Sequence, residues 1–429
     1  MMKDNAKPGD YVEVHLGKKE YRGVFLEVPD LDKGIILVKL DSGYNIGINK
    51  KDIINLRVLK KSKEKAEETE IRKSKDKPNI AMIITGGTIA SRYDFKTGGV
   101  HPLTKPGELF RFYPELFEKV NVVKVEVPFM KASEDMDYKD WQKIAKISEK
   151  LLNDSNVKGI IITHGTDFLH YTSAAMSFFL RNLNKPVVLT YSQRSIDRAS
   201  SDANLNLRCS ALTAISDIAE VMLVGHATIN DDFCHAIKGT KARKMHSSER
   251  DAFKSINSKP IAKISDDKIE IISSDYNLRD SKKKVKTDLK FEEKIALVKI
   301  YPGQNSEILD FYMKKKYKGI VLEASGLGHL PTRKSRNSWI KKLAEVQKKG
   351  VIVCVTSQTI YGRVDPFVYS NGREVLKTGA IYLEDMLSET AFVKLGWVLG
   401  HKEWAKNRET VKNKMLENFS HEINDRLEI

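Results

Sequence analysis

The sequence predicts a mixed α/β protein that begins with a small SH3-like β-barrel and continues as a two-domain body of parallel sheets flanked by helices. Three observations predict this architecture. Residues 9–48 form short runs of alternating apolar and polar residues without a helical period. After Pro78, continuously apolar runs alternate with segments of helical spacing, and a second set of such runs follows a charged stretch at residues 279–294.

The N-terminal part differs in composition from the rest of the chain. The stretches GDYVEVHLGKKEYRGVFLEV and GIILVKLDSGYNIGI read as short strands separated by turns rich in Gly, Pro-Asp and Asp-Ser-Gly. Residues 60–78, which follow, contain almost no apolar side chains, so they cannot bury a core. We therefore assign residues 1–59 to the barrel and residues 60–78 to a charged linker.

The first body domain is predicted from strands that are apolar along their whole length. Such runs are typical of parallel strands covered by helices on both faces. The runs are Asn79–Ile84, Gly159–Thr163, Pro186–Thr190 and Val221–Gly225. Between them, DYKDWQKIAKISEKLLND and SDANLNLRCSALTAISDIAE have the apolar spacing of helices. This alternation predicts a parallel α/β domain over residues 79–278, which carries the candidate catalytic residues.

A second charged break precedes another set of apolar strands. The stretch RDSKKKVKTDLKFEEK, residues 279–294, reads as a linker, and IALVKIY, GIVLEA and VIVCVT follow it, with a helical segment between the last two. These runs predict a second α/β domain over residues 295–429. Its tail from His401 is charged and amphipathic, which predicts a surface helix.

The composition indicates a water-soluble protein of the cell interior. The 429 residues are 41% hydrophobic and 30% charged, and no apolar run approaches the ~18 residues that a membrane span needs. The start, MMKD, lacks the apolar core of a signal peptide. We expect a cytoplasmic protein without membrane contact.

The charge and the cysteines give no specific site. The net charge is +16, but residues 1–78 contain 18 Lys or Arg against 14 Asp or Glu, so the basic excess is spread along the chain. A solvated lysine-rich surface explains this distribution as well as a nucleic-acid site does. The three cysteines, Cys209, Cys234 and Cys354, are far apart and lack zinc-ligand spacing, so we expect neither a disulfide framework nor a metal site.

The first candidate site residues follow the first apolar strand. The stretch AMIITGGTIAS ends that strand in Thr85-Gly86-Gly87-Thr88. Glycines allow a tight turn with close backbone approach, and ligands of open parallel sheets bind beyond the carboxyl ends of the strands. Thr88 is therefore expected to face a crevice. No Gly-Lys-Ser/Thr follows, which disfavours a phosphate loop, and capping of the next helix by Thr85 and Thr88 is the alternative reading.

A second strand ends in a similar turn. After GIII the chain continues as THGTD, which places Thr166 and Asp167 beside a glycine at the end of a neighbouring strand. A hydroxyl becomes a useful nucleophile when a base removes its proton, and a desolvated lysine can do so. Lys244 in KARKMHSSERDAF is a candidate for that base, and a solvated surface lysine is the alternative reading.

Four motifs, in the order TGGTIAS, THGTD, QRSIDRASSDA and RKMHSSERDAFKS, resemble the L-asparaginase/glutaminase family. The resemblance extends from about Pro78 to about Gly400. It implies an asparaginase-like body that hydrolyses an amide by an acyl-enzyme route. It also implies Thr88 as the nucleophile, with Thr166, Asp167 and Lys244 as the second catalytic group.

The same resemblance implies how an amino acid binds. Asp167 would hold the α-ammonium group, and Ser133 in KASEDM would hold the α-carboxylate, with Glu134 beside it. Fixing a zwitterion at one end and its amide at the other supplies much of the rate of such a reaction. Backbone amides of the Gly86–Gly87 turn or its neighbours are candidate donors to the oxyanion.

The N-terminal barrel and linker, which ordinary asparaginases lack, resemble those of the D subunits of archaeal Glu-tRNA(Gln) amidotransferases. This resemblance implies a glutaminase, acting on glutamine or asparagine, within an ATP-dependent ligase of protein biosynthesis. Ammonia would pass to a tRNA-binding E subunit that forms Gln-tRNA(Gln). It further implies no cofactor in this chain, ATP and Mg²⁺ only in the partner subunit, and a homodimer within a heterotetramer.

Two residues depart from the family pattern. The family's loop after the first threonine supplies a tyrosine that polarises the nucleophile, and the aligned residue here is Phe95, whose ring cannot form that hydrogen bond. Tyr93, two residues earlier, lies on the same side of an extended loop, and we expect it to take over the role. Phe168 stands where the subfamily usually has threonine, and is expected to reshape the pocket wall.

Two further groups are expected to support the site without taking part in the chemistry. We expect His164 to be a structural histidine bonded near its turn. Arg194, Asp197, Arg198 and Asp202 are expected to form a buried ion-pair network beneath the site.

Two alternatives to the amidotransferase reading stay open. The first is a stand-alone cytoplasmic L-asparaginase with an extra barrel. The second is a catalytically degenerate scaffold that binds tRNA or the partner subunit, which Phe95 leaves possible.

Overall fold

The computed structural model describes residues 6–7, 9–26, 34–41, 45–61, 74, 76–93, 100–102, 116–196, 198, 200–265 and 267–427. This part of the chain is a mixed α/β protein, as predicted. It contains an antiparallel sheet near the N-terminus and two further sheets, one with a parallel core and one fully parallel, with helices packed against them.

The N-terminal sheet is built from five antiparallel strands. These are β1 (Tyr11–Leu16), β2 (Lys19–Leu26), β3 (Ile35–Leu40), β4 (Asn45–Asn49) and β5 (Asn55–Lys60). Their order is β4-β3-β2-β1-β5. Val12 and Val14 of β1 and Ile36 and Val38 of β3 are buried, and their spacing of two residues is that of strands with one face in a core. The unit is consistent with the predicted small barrel.

The strands of the next part of the chain form one large sheet and three two-stranded hairpins or ribbons. They are β6 (Asn79–Ile84), β7 (Ser91–Tyr93), β8 (Val100–Pro102), β9 (Asn121–Glu126), β10 (Ile160–Thr163), β11 (Leu180–Arg181), β12 (Val187–Thr190), β13 (Val221–His226), β14 (Cys234–Lys238), β15 (Ala242–Lys244), β16 (Phe253–Ser255), β17 (Ala262–Ile264), β18 (Ile269–Ile271) and β19 (Lys286–Thr287). Strand β7 pairs with β8, β11 with β19, and β15 with β16, all antiparallel.

The large sheet is only partly parallel. Among the described residues its order is β18-β17-β14-β13-β12-β10-β6-β9. Strands β9, β6, β10, β12 and β13 are parallel, whereas β14, β17 and β18 are antiparallel. Only the parallel part was predicted from the sequence. Strands β14, β17 and β18 are short, which makes them hard to recognise, and the loop between β13 and β14 contains no crossover helix, so these two strands pair antiparallel.

Helices cover the faces of this sheet. They are α1 (Leu116–Lys119), α2 (Tyr138–Leu152), α3 (Leu169–Phe179) and α4 (Ala203–Ile215). Helix α2 begins at a capping box, in which the Asp137 side chain and the Asp140 side chain accept hydrogen bonds from the first backbone amides. No helix in the described ranges has the length and apolar character to cross a membrane.

The C-terminal part contains a four-stranded parallel sheet. Its strands are β20 (Ile295–Lys299), β21 (Gly319–Ala324), β22 (Ile352–Ser357) and β23 (Ile381–Tyr382), paired in that order. The helices are α5 (Ile308–Lys314), α6 (Ile340–Lys348), α7 (Ser370–Lys377), α8 (Ser388–Gly400), α9 (Lys402–Ala405) and α10 (Arg408–Leu416). The domain limits given above remain a prediction.

One apolar core joins the large sheet and the C-terminal sheet. Helix α3 of the first sheet packs against helix α8 of the second, and both helices are buried over most of their length. The rings of Phe178 and Trp397 stack across this contact, with centroids 5.6 Å apart. Because the buried side chains form one cluster, the two sheets are held in a fixed relation by packing.

The tail after His401 forms the two short, mostly exposed helices α9 and α10, in agreement with the predicted surface helix. The sequence did not predict that the chain then turns inward. The Glu422 carboxylate lies 2.6 Å from Lys394 Nζ on helix α8, and neither side chain is exposed to solvent. Lys394 Nζ also donates hydrogen bonds to the backbone oxygens of Met415 and Glu417. The charged composition of the tail hid this buried ion pair.

We predict that Lys394→Met lowers the free energy of unfolding by about 3 kcal/mol, because it leaves the buried Glu422 carboxylate without its cation. The measurement is the midpoint of urea unfolding at unchanged slope. The control is Lys412→Met, because the Lys412 ammonium is half-exposed and its ion pair with Glu409 is long; we expect a loss below about 0.5 kcal/mol there. Equal losses in the two variants would contradict the prediction.

Candidate active site

The two predicted turns lie side by side at one edge of the large sheet. Strand β6 runs parallel to β10, and Ile84 lies opposite Thr163, so both strands end at the same level. The Thr85 hydroxyl and the Thr85 amide both donate to the Thr163 carbonyl, at 2.8 and 3.2 Å. Residues 85–88 and 164–167 therefore leave the sheet as neighbours, as the sequence predicted.

The glycine pair is required both by backbone conformation and by space. Gly86 and Gly87 have φ of +119° and +79°, which residues with a side chain rarely adopt. A Cβ on Gly87 would lie 2.3 Å from the Gly165 nitrogen, and one on Gly86 would lie 2.4 Å from the Lys131 carbonyl oxygen. The turn therefore packs its backbone directly on the second turn. Thr88 follows at once, half-buried, and begins a short 3₁₀ turn.

Three of the predicted catalytic residues are in contact. Lys244 Nζ donates to Thr166 Oγ1 at 2.8 Å and to Asp167 Oδ1 at 2.7 Å. The Lys244 side chain is only 10% exposed, whereas that of Asp167 is 61% exposed. Lys244 is therefore not the solvated surface lysine of the alternative reading. Its ammonium joins a buried hydroxyl to a carboxylate that solvent and ligands can reach.

Ser133 and Glu134 lie against the same turn. The Phe168 amide donates to Ser133 Oγ at 3.2 Å, and Ser133 Oγ donates to the Glu134 carboxylate at 3.3 Å. Ser133 also packs closely on Gly165, because a Cβ added to Gly165 would lie only 3.1 to 3.2 Å from atoms of Ser133. Ser133 is buried and Glu134 is exposed. Ser133 thus lies against the turn that carries Asp167, and Glu134 contacts Ser133.

The residues that depart from the family pattern are only partly described. Tyr93 ends strand β7, but its side chain and the whole of Phe95 lie outside the described residues. That Tyr93 polarises the nucleophile in place of the residue at position 95 stays a prediction. Phe168 lies at the start of helix α3, is 43% exposed, and has its ring 5.4 Å from the ring of Tyr171.

His164 is a structural histidine, as expected. Its Nδ1 donates to the Gly165 carbonyl at 2.7 Å, and the Thr172 hydroxyl donates to its Nε2 at 2.9 Å. Burial lowers the pKa of His164 to about 4, so the ring is neutral near pH 7. Because both ring nitrogens are occupied, His164 fixes the carbonyl of the second turn and is not available as a base.

Asp202 does not form the expected ion pairs within the described residues. The Asp202 carboxylate accepts hydrogen bonds from the backbone amides of Gln193 and Arg194, at 2.9 to 3.1 Å. Arg198 is exposed, and Asp197 lies outside the described residues. The spacing of Arg and Asp residues in the sequence suggested ion pairs between side chains. In the structure the loop directs its backbone amides toward the Asp202 carboxylate, and hydrogen bonds to a charged acceptor are strong.

Sequence reasoning missed the groups that position Lys244. Lys241 Nζ donates to Asp385 at 2.7 Å, with both side chains fully buried, and Arg243 forms an ion pair with Glu389. Asp385 and Glu389 belong to the C-terminal part of the chain. Lys241 directly precedes β15 and Arg243 lies within it, two residues later. This alternation of cations was the available signal in the sequence.

Comparisons with known proteins show the family of each part of the chain. Residues 79–276 match the family described as "Asparaginase, N-terminal", residues 294–415 match the "Glutaminase/Asparaginase C-terminal domain", and residues 6–59 match the "GatD N-terminal domain". The thermostable L-asparaginase from Thermococcus kodakarensis has a similar structure, with TM-score 0.70 and 29% identity over 81% of this chain and 99% of that chain. L-asparaginase I from Vibrio cholerae gives 0.68 and 26% over the same shares.

The relatives in sequence are similar over nearly the whole chain. The glutamyl-tRNA(Gln) amidotransferase D subunit of Pyrococcus furiosus is 49% identical, covering 97% of this chain and 94% of the relative. The D subunit of Methanothermobacter thermautotrophicus is 40% identical, covering 98% of this chain and 95% of the relative. The chain therefore belongs to the family of glutamyl-tRNA(Gln) amidotransferase D subunits, whose body is of the asparaginase type of amidohydrolase.

Proposed function

We propose that this chain is the ammonia-releasing subunit of a Glu-tRNA(Gln) amidotransferase. It hydrolyses glutamine, or asparagine, by a threonine acyl-enzyme route and supplies the ammonia to a tRNA-binding E subunit that forms Gln-tRNA(Gln). The observation that carries this proposal is the contact of Lys244 Nζ with both Thr166 and Asp167, beside the turn that ends at Thr88. The family membership of the chain supports the same role.

The proposed reaction begins with attack on the amide. The Thr88 oxygen forms a bond to the side-chain amide carbon of the substrate, and the Thr88 proton passes through the Thr166 hydroxyl to Lys244 Nζ. This step requires the neutral amine of Lys244.

The reaction is completed by loss of ammonia and by hydrolysis. The tetrahedral intermediate breaks its C–N bond, the leaving nitrogen takes the proton from Lys244, and an acyl ester on Thr88 remains. Water then attacks the ester carbon and gives a proton to the same amine. As the bond from the acyl carbon to the Thr88 oxygen breaks, the amine returns that proton to the Thr88 oxygen, and glutamate leaves. Backbone amides of the Gly86–Gly87 turn or its neighbours would stabilise the oxyanion, by roughly 3 kcal/mol for each well-aimed donor.

The substrate's α-groups have suitable partners at the second turn. The exposed Asp167 carboxylate is available to an α-ammonium group. Ser133 is held in place by the Phe168 amide and would donate its hydroxyl proton to the α-carboxylate instead of to Glu134. The steps use only side chains and water, so we assign no cofactor or metal to this chain. ATP and Mg²⁺ are assigned to the partner, which activates the glutamyl ester.

We also propose a homodimer within a heterotetramer. Large apolar side chains of the C-terminal part are exposed, among them Tyr301, Phe367 and Tyr369, each by about 60%. Tyr301 lines a cavity of about 670 Å³ at the carboxyl ends of β20 to β22, and the Tyr369 ring contacts His329 in the wall of that cavity. Exposed large apolar side chains of this kind are typical of protein interfaces.

We predict that ammonia release depends on the partner. The purified chain is assayed for ammonia release from glutamine and from asparagine, alone, with the E subunit, and with the E subunit plus Glu-tRNA(Gln). We expect glutamine hydrolysis to rise by on the order of tenfold or more when both are added, because assembly orders the site for the transition state. Thr88→Ala in the full complex is the control and is expected to abolish the release.

The other outcomes separate the alternatives. Fast hydrolysis of free asparagine by the chain alone, unchanged by the partner, would favour a stand-alone asparaginase, a reading that the similarity to solved L-asparaginases keeps open. No ammonia release in any mixture would favour a scaffold without catalytic activity.

We predict that Tyr93→Phe lowers kcat for glutamine by on the order of a hundredfold with little change in KM, because it removes a hydrogen bond made to the nucleophile during attack. The measurement is steady-state ammonia release by the full complex. The matched control is Phe95→Leu, which removes a ring that has no hydroxyl and should leave kcat within about threefold. If kcat of Tyr93→Phe equals that of the parent, the prediction is wrong and Tyr93 is a surface residue without a catalytic role.

A further inference from the structure

A second cavity lies at the far end of helix α3 from the candidate active site. Helix α3 begins beside the Thr166–Asp167 turn, and its eleven residues span roughly 16 Å. The cavity has a volume of about 150 Å³, and its wall includes Arg181, Glu220, Lys283 and Phe419. Residues from the end of α3, from the linker before the C-terminal sheet and from the segment after α10 thus contribute to the wall.

The guanidinium of Arg181 has no protein acceptor among the described residues. It lies between two aromatic rings, 5.7 Å from the centroid of Trp397 and 5.4 Å from that of Phe419. A guanidinium has five N–H donors along its edge, and rings that cover its faces leave those donors unused. Burial lowers the pKa of Arg181, which reflects the cost of keeping this cation away from water.

The carboxylates nearest to Arg181 already hold other cations. Glu422 pairs with Lys394 at 2.6 Å, Asp288 pairs with His401 at 2.8 Å, and Glu417 pairs with Lys414 at 2.7 Å. None of them forms an ion pair with Arg181 within the described ranges. The Arg181 donors are therefore available to a ligand.

A second cation of the wall is also uncompensated. Lys283 is exposed, and in the described part of the chain its ammonium has no ion pair. The acidic member of the wall, Glu220, accepts hydrogen bonds from the amide and the side chain of Asn277, both at 2.7 Å, and contacts His421 Nε2 at 3.3 Å. The hydrogen bond with Glu220 raises the pKa of His421, which favours the imidazolium that balances the carboxylate.

The remaining polar groups on the wall do not favour a cationic or a neutral ligand. The Ser177 hydroxyl donates to the Ser173 carbonyl, and the Ser420 hydroxyl donates to the Ser177 carbonyl, both at 2.8 Å. Glu220 is bonded to Asn277 and His421, and within the described ranges no ion pair involves the other two charged residues of the wall, Arg181 and Lys283. A doubly charged anion complements them.

We propose that this cavity binds a small divalent oxyanion of the phosphate type, held by Arg181 and Lys283. A volume of about 150 Å³ is large enough for one small tetrahedral oxyanion. The bound anion joins three segments that are far apart in sequence, so its binding stabilises the contact of the C-terminal segment with helix α3.

The proposal is tested by equilibrium dialysis of the full-length chain against ³²P-labelled inorganic phosphate at constant ionic strength. We expect one saturable site per chain that sulfate displaces and acetate or chloride does not. Arg181→Gln is expected to weaken binding at least tenfold, and Lys283→Gln by about threefold to tenfold, because each removes one charge-assisted contact. Lys283 is exposed, so its variant also serves if Arg181→Gln fails to fold.

The matched control is Lys282→Gln, because Lys282 is an exposed neighbouring cation that does not line the cavity. We expect phosphate binding by this variant to equal that of the parent. The proposal is overturned if no saturable site exists at millimolar phosphate, if Lys283→Gln binds as the parent does, or if Lys282→Gln weakens binding as much as Lys283→Gln. The last result would indicate unspecific attraction to a basic surface.

Discussion

The candidate site depends on a contact between two backbone turns. Gly87 lies so close to Gly165 that no side chain fits between them, and Thr85 bonds to the end of the strand that leads into the second turn. Neighbouring parallel strands bring two chain segments to one sheet edge, but only glycine at this point lets them touch. The contact sets Thr88 next to the turn that carries Thr166 and Asp167, and His164 fixes the carbonyl of that turn from below.

The third element of the site reaches it from a different direction. Lys244 lies at the end of a short strand whose neighbouring cations, Lys241 and Arg243, pair with Asp385 and Glu389 of the C-terminal part of the chain. The position of the lysine is therefore coupled to the packing of the large sheet and the C-terminal sheet, which share one core through helices α3 and α8. A change in how the C-terminal part packs would move the proposed base, so assembly with a partner has a structural route to the site.

The sequence predicted those features that local patterns specify. Continuously apolar runs located the parallel strands, and their polar ends located Thr88, Thr166 and Asp167. The antiparallel strands β14, β17 and β18 were missed because they are short and their pairing depends on loop length. The partners of Asp202 and Arg243 were missed because they come from backbone amides or from residues more than a hundred positions away, which no periodicity encodes.

The most direct measurement identifies the residue that attacks the amide. The chain, with its partner and Glu-tRNA(Gln), is treated with a glutamine analogue that carries a diazoketone in place of the amide, and the adduct is mapped by mass spectrometry of its peptides. The account predicts a single adduct on Thr88, formed at least a hundredfold more slowly in Lys244→Met because the base is missing. An adduct on another residue, or a Thr88 adduct that forms equally fast without Lys244, would contradict it.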